Sequence, residues 1–173
     1  MKVIGICGWS GAGKTTLIEG VIGALKAAGQ RVSVVKHAHH RFDIDHEGKD
    51  SWRHRKAGAF EVLVASGKRL ALMREYEQEV EHDVHALIAE LAPVADWVIV
   101  EGFKHAELLK IEVWRQAVGE GPLYPVDPYV VAVATDDAAA LPVPTRLPVL
   151  PLSEPQAVAH WLMDNGARHE YSR

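Results

Sequence analysis

Cysteine is nearly absent: the 173 residues contain one, Cys7. That excludes an intramolecular disulfide framework and any all-cysteine metal site within one chain. A lone cysteine inside an apolar strand reads as a small core residue. Long apolar runs are absent too, and Met1 leads directly into a strand pattern with no basic and apolar leader segment. These features predict a cytoplasmic protein with no membrane partner. Positive charge is not in surplus: 19 Lys and Arg face 23 Asp and Glu, for a formal net charge of -4. A phosphate-backbone-binding surface covering the molecule is therefore disfavoured, and no nucleic-acid partner is expected. There is no internal repeat, low-complexity tract or linker, and the length suits one domain over residues 1–173.

What the chain does have is alternation of apolar strands and amphipathic helices, the pattern of a mostly parallel α/β sheet. Lys2–Cys7 reads as a strand, Lys14 to about Ala28 as a helix stopped by Gly29, and Arg31–Lys36 as a second strand. A polar, histidine-rich stretch from His37 to Asp50 follows, long enough to be a functional loop. Asp50 or Ser51 can cap a short helix ending near Gly58. Phe60–Ala65 and Leu70–Arg74, joined by Ser66–Arg69, predict a β-hairpin. Val80–Leu91 reads as a helix, Trp97–Val100 as a buried strand, Lys110–Trp114 and Tyr129–Ala134 as further strands, and Glu154–Met163 as a closing helix.

The most informative run is Gly8-Trp9-Ser10-Gly11-Ala12-Gly13-Lys14-Thr15, a complete G-x-x-x-x-G-K-T loop between the first strand and the first helix. Gly11, Ala12 and Gly13 can turn backbone N–H groups onto phosphate oxygens, and the helix N-terminus adds partial positive charge. Lys14 can reach the outer phosphates, and the Thr15 hydroxyl can sit on Mg²⁺. An apolar strand that ends in Glu101 would bring a carboxylate to the same metal. Asp96 lies at the other end of that strand, about 17 Å away at ~3.4 Å per residue, and reads as a turn residue.

The loop carrying Lys36, His37, His39, His40, Asp43, Asp45 and His46 suits contacts to phosphates, Mg²⁺ or an anionic second substrate. It is also compatible with solvated surface or with a zinc, nickel or copper site. Arg53, Arg55 and Lys56 can neutralise phosphates or simply face solvent.

Together these motifs resemble a known family. The phosphate loop, Val35-Lys36-His37-Ala38-His39-His40 with Phe42-Asp43 and Asp45, Gly48-Lys49-Asp50-Ser51, Ala57-Gly58-Ala59, Val100-Glu101-Gly102-Phe103-Lys104 and Lys110-Ile111-Glu112-Val113 are similar to the molybdopterin-guanine dinucleotide biosynthesis adaptor proteins, MobB. The resemblance spans Met1 to about Asp136. It implies a P-loop NTPase three-layer sandwich of the SIMIBI class with an added β-hairpin, binding GTP and Mg²⁺ and hydrolysing GTP weakly. It also implies a homodimer that assists the molybdenum cofactor guanylyltransferase joining GMP to molybdopterin. Gly11, Gly13, Lys14, Thr15 and Thr16 match the family's phosphate loop, and Glu101 its Mg²⁺-side acid.

The residues themselves support triphosphate binding and slow hydrolysis, because Lys14, Mg²⁺ and Arg53 or Arg55 supply charge while no side chain is evident to orient water. Strand Tyr129–Ala134 runs into Thr135-Asp136-Asp137, where a carboxylate can accept N1–H and N2–H₂ of guanine. Asp136 is the first candidate and Asp137 the second; the competing role is a turn or helix cap. Two other functions fit the same loop. A small-molecule kinase would use Asp43 or Asp45 as base, and a metal-delivering GTPase would use His37, His39, His40 and His46.

Overall fold

The computed structural model describes residues 1–38 and 44–172. Along the chain the elements are β1 (Lys2–Cys7), α1 (Lys14–Ala27), β2 (Val32–Lys36), α2 (Asp50–Lys56), β3 (Glu61–Ala65) and β4 (Leu70–Arg74). They are followed by α3 (Val84–Ala89), β5 (Trp97–Glu101), β6 (Lys110–Val113), β7 (Val130–Thr135), β8 (Val149–Pro151) and α4 (Pro155–Asp164). The chain divides into two compact units, one of Met1–His37 with Asp83–Arg173 and one of Ala38–His82.

The first unit is a six-stranded sheet in the order β2-β5-β1-β6-β7-β8, every pairing parallel. Its central strands are apolar on both faces because both faces are covered. Ile4, Ile6, Trp97, Ile99, Ile111 and Val113 pack with Leu17, Val21 and Leu25 of α1 and Val158 and Leu162 of α4. Val3, Val35, Val98 and Val100 point the other way and pack with Val84 and Ile88 of α3. The result is the expected three-layer α/β arrangement. Each fully buried Val, Leu or Ile contributes roughly 1.5–3 kcal/mol, so this core is the main source of the unit's stability. Among the described residues no helix is long and apolar enough to cross a membrane.

Several element bounds differ from the sequence expectation. The third helix starts at Val84, four residues later than Val80, because Asp83 accepts from the His85 N–H at 3.0 Å and caps it there. The buried strand runs one residue further and takes in Glu101. A short strand, β8, lies in the proline-rich segment. It sits at the sheet edge, where Pro151 can be tolerated because the outward side needs no ladder bond.

In the second unit β3 and β4 form a separate antiparallel pair, with Glu61 opposite Arg74 and ion-paired to it. Leu63, Val64, Leu70 and Leu72 are exposed on this hairpin. Neither Asp50 nor Ser51 caps α2; the cap is Lys49, which offers no side-chain bond. Ser51 instead donates to Asp45 at 2.8 Å, and Asp50 lies in the first turn, 3.9 Å from Arg53.

Candidate nucleotide-binding site

The site begins where β1 leaves the sheet. Gly8 has φ +130°, and a Cβ built on it would lie 2.2 Å from the Val113 carbonyl oxygen, so no other residue fits. Gly13 is the left-handed residue from which α1 starts, and the chain between them wraps the loop around buried Ala12. Lys14 Nζ donates back to the loop's own carbonyls, to Gly8 O at 2.9 Å and Trp9 O at 2.8 Å. Burial holds the Lys14 pKa below its usual value against the opposing pull of Glu101, with Lys36 and Lys104 adding to the depression.

The register of the sheet assembles the rest. Ile6 of β1 and Lys36 of β2 both pair with Glu101 of β5, so the C-terminal ends of three adjacent strands meet beside the loop. Glu101 is 8% exposed; its Oε1 accepts from the Thr15 hydroxyl at 2.7 Å and its Oε2 lies 3.2 Å from Lys36 Nζ. A hydroxyl and a carboxylate this close are a hard-oxygen pair of the kind Mg²⁺ takes, so Thr15 and Glu101 fit that ion. Thr16 is exposed in the first turn of α1.

Asp136 stands at the exit of β7. Its Oδ2 lies 2.9 Å from Nε of Arg115, at the exit of neighbouring β6, in an ion contact and not a directed hydrogen bond. The cap that the sequence offers at this boundary belongs to Asp137, which accepts from the Ala139 N–H at 2.9 Å. The Arg115 guanidinium carbon is 3.7 Å from where a Cβ on Gly13 would sit, so this pair adjoins the phosphate loop.

The polar loop is only partly in view: His39, His40, Arg41, Phe42 and Asp43 lie outside the described residues. His37 stacks on Phe103 with ring centroids 4.6 Å apart. Asp45 is tied into its own unit, accepting from Ser51, the His46 N–H and Arg55 Nε at 2.8, 2.9 and 3.1 Å. Burial pushes its carboxyl up, but the bonds from Ser51 and Arg55 outweigh this and leave it below the usual carboxylate range. Arg55 also reaches Glu75 at 2.6 Å, and Arg53 is an exposed side chain on α2. Among the described residues no group of three His, Cys, Asp or Glu side chains is placed to hold a metal. Cys7 is a core residue: burial pushes its thiol up to about 12.

Sequence reasoning gave no role to Trp9, Lys104 or Lys110, though all three lie in motifs quoted above, and it missed Arg115. Trp9 donates from its indole to Gly121 O at 2.9 Å, and the Lys104 ammonium stands 3.7 Å from its ring centroid. Lys104 follows Glu101-Gly102-Phe103 closely enough to have been suspected, but its seat on Trp9 depends on a long-range contact.

Fold and site together define a three-layer parallel α/β protein with a phosphate-loop sequence between its first strand and first helix. A family model described as MobB, molybdopterin guanine dinucleotide synthesis protein B, matches residues 3–136, and the chain belongs to that family. It is 38% identical over 166 residues to the molybdopterin-guanine dinucleotide biosynthesis adapter protein of Escherichia coli K12, covering 95% of this chain and 93% of that one. The Haemophilus influenzae Rd adapter protein is 46% identical over 136 residues, with 79% and 75% covered. The crystal structure of a MobB protein homolog from Bacillus stearothermophilus matches with a TM-score of 0.68 at 27% identity, covering 97% of this chain and 99% of that one.

Proposed function

We propose that this protein is an adaptor in molybdopterin guanine dinucleotide biosynthesis that binds GTP with Mg²⁺ and hydrolyses it slowly. The observation that carries the reading is the meeting of Lys14, Thr15 and Glu101 at the end of β1 and β5. Every charged partner there is provisional: Lys14 rests on loop carbonyls and Thr15 on Glu101, and triphosphate and Mg²⁺ offer each a stronger partner. Lys14 would hold the outer phosphates, Gly11, Ala12, Gly13 and Thr16 would give backbone or hydroxyl contacts, and Asp136 would read guanine. Mg²⁺ would supply charge neutralisation on the phosphates. Among the described residues near the loop none is a clear base for water, in keeping with slow turnover.

The adapter names of the Escherichia coli and Haemophilus influenzae relatives support the pathway. On this reading the partners are the molybdenum cofactor guanylyltransferase and molybdopterin, and the exposed apolar hairpin residues suit a homodimer contact. The test is calorimetric titration of GTP with and without Mg²⁺ for the native protein and Glu101→Gln. Native binding should tighten with Mg²⁺, and the variant should lose that gain while keeping its metal-free affinity. Identical Mg²⁺ dependence in both would reduce Glu101 to a strand-end residue. Adding the native protein to guanylyltransferase, molybdopterin and GTP should raise dinucleotide yield; no change would remove the adaptor role.

A further inference from the structure

Lys104 is held in place by three features that a surface lysine does not need. First, the turn after β5 is left-handed twice over: Gly102 has φ +89° and Phe103 φ +46°, the one described non-glycine residue with positive φ. A bulky residue in that conformation is strained and persists only where its surroundings enforce it. Second, the backbone that follows is riveted from below. Lys110, 2% exposed, donates its ammonium to Lys104 O at 2.9 Å, Ala106 O at 2.7 Å and Asp127 Oδ2 at 2.9 Å. Third, the Lys104 ammonium sits 3.7 Å from the centroid of the Trp9 ring, while that indole is itself fixed by its bond to Gly121 O.

Trp9 therefore carries two lysines. Its carbonyl accepts from Lys14, whose place is on the outer phosphates, and its ring seats Lys104. The Trp9 ring is a weak partner for an ammonium at a partly exposed site. A phosphate dianion is far stronger. Lys36 pairs with Glu101 at 3.2 Å, and the charges of Lys36 and Lys104 both add to the depression of the Lys14 pKa, so among the described residues positive charge gathers at the loop, where an added phosphate would be welcome.

We infer that Lys104 is a terminal-phosphate sensor, seated on Trp9 and drawn off it by the third phosphate of a bound nucleoside triphosphate. This rests on the phosphate-binding reading above and adds to it a residue that distinguishes triphosphate from diphosphate. Trp9 is the parking position, and Lys110 with the Gly102–Phe103 turn is the mount.

The test compares GDP with a non-hydrolysable GTP analogue by displacement of a fluorescent GDP derivative, in the presence of Mg²⁺. Lys104→Met keeps the apolar stem on Trp9 and removes the charge. It should weaken the triphosphate analogue about tenfold or more and GDP by less than about threefold. Lys104→Arg should keep most of the preference. Equal loss for both nucleotides, or no loss, overturns the inference. Lys14→Ala in the same assay separates the two claims: if it leaves both affinities intact, the phosphate-loop reading itself fails. A direct readout uses protein labelled with ¹³C at lysine Cε. The Lys104 Hε signals, assigned by their absence in Lys104→Met, should lie upfield from the indole ring current, move downfield with the triphosphate analogue and stay put with GDP. Signals that do not respond to the analogue also overturn it.

Discussion

Lys14 and Lys110 lie on the same sheet-bearing unit and both withdraw an ammonium from water, yet their surroundings differ in kind. Lys110 is fully enclosed and has three partners that belong to the fold: two carbonyls and the Asp127 carboxylate. Glu112, two residues on, is equally complete, accepting from the Leu123 and Tyr124 N–H groups at 2.7 Å each. Burial pushes the Glu112 carboxyl up against the pull of those two N–H groups, and its bonds help hold the loop at Leu123 and Tyr124. Lys14, Glu101 and Lys36 are satisfied too, by carbonyls of the phosphate loop, by the Thr15 hydroxyl and by one another; on the proposed reading a nucleotide and Mg²⁺ take the place of these partners. The difference separates buried charge that organises the chain from charge at the strand ends that, on the proposed reading, takes a ligand.

The largest effect expected from this contrast is on stability. Lys110→Met takes the ammonium away from the Asp127 carboxylate and two carbonyls in a partly buried site and should cost about 3–5 kcal/mol in urea unfolding. Lys14→Ala should change unfolding by less than about 1 kcal/mol, since it loses bonds to carbonyls that water can reach. Comparable losses in the two variants would break the contrast.

Binding should show the reverse order. Lys14→Ala should weaken GTP by about 2–4 kcal/mol in calorimetry, because on the proposed reading it removes the charge that faces the outer phosphates. An unchanged affinity would place Lys14 with Lys110, as a structural lysine.

Asp136 is the intermediate case, a carboxylate paired with Arg115 among the described residues and with half its side-chain surface open. Asp136→Asn should weaken GTP about tenfold, the value of one charge-assisted bond, and improve XTP, whose O2 can accept from the new amide. ATP should stay poor. Competitive displacement by the three nucleotides measures this; a variant that keeps its GTP preference and loses only thermal stability would make Asp136 a partner for Arg115 and nothing more.

The smallest effect concerns His169, 2% exposed between Trp97 and Trp161, with no hydrogen-bond partner among the described residues. Burial, with a smaller push from Arg168, holds its pKa below the ordinary histidine value. The neutral ring is thus favoured by the fold, and its contribution is complete above the ordinary value near 6.5. As pH falls below that value the unfolded chain takes up a proton first and stability declines. The slope is bounded by one proton, about 1.4 kcal/mol per pH unit. His169→Phe should flatten the fall between neutral and mildly acidic pH in urea titrations; an unchanged profile would assign the pH dependence to other groups.

Much of this molecule can be read without coordinates. A wholly apolar run such as Trp97–Val100 has few alternatives to a central parallel strand, and G-x-x-x-x-G-K-T after a strand leaves Lys14 and Thr15 little choice of place. Local bonds were harder to foresee. Asp83 and not a residue near Val80 starts α3, and Asp45, an open loop carboxylate by composition, is taken up by Ser51 and Arg55. Those choices rest on short-range competition among several acceptors, which composition alone does not rank.

By itself the sequence determined the parallel α/β class, the phosphate loop, the carboxylate at the end of β5 and the family. These depend on periodicity and on motifs whose parts lie within a few residues, so local sterics and hydrogen-bonding rules suffice. Only the tertiary structure decided which charges are spoken for. Strand register set Lys36 against Glu101, neighbouring strand exits brought Arg115 to Asp136, and a bond from Trp9 to Gly121 across 112 positions built the seat for Lys104. Pairings over such separations are set by how whole elements pack, and an isolated lysine or aspartate in a sequence carries no record of its partner.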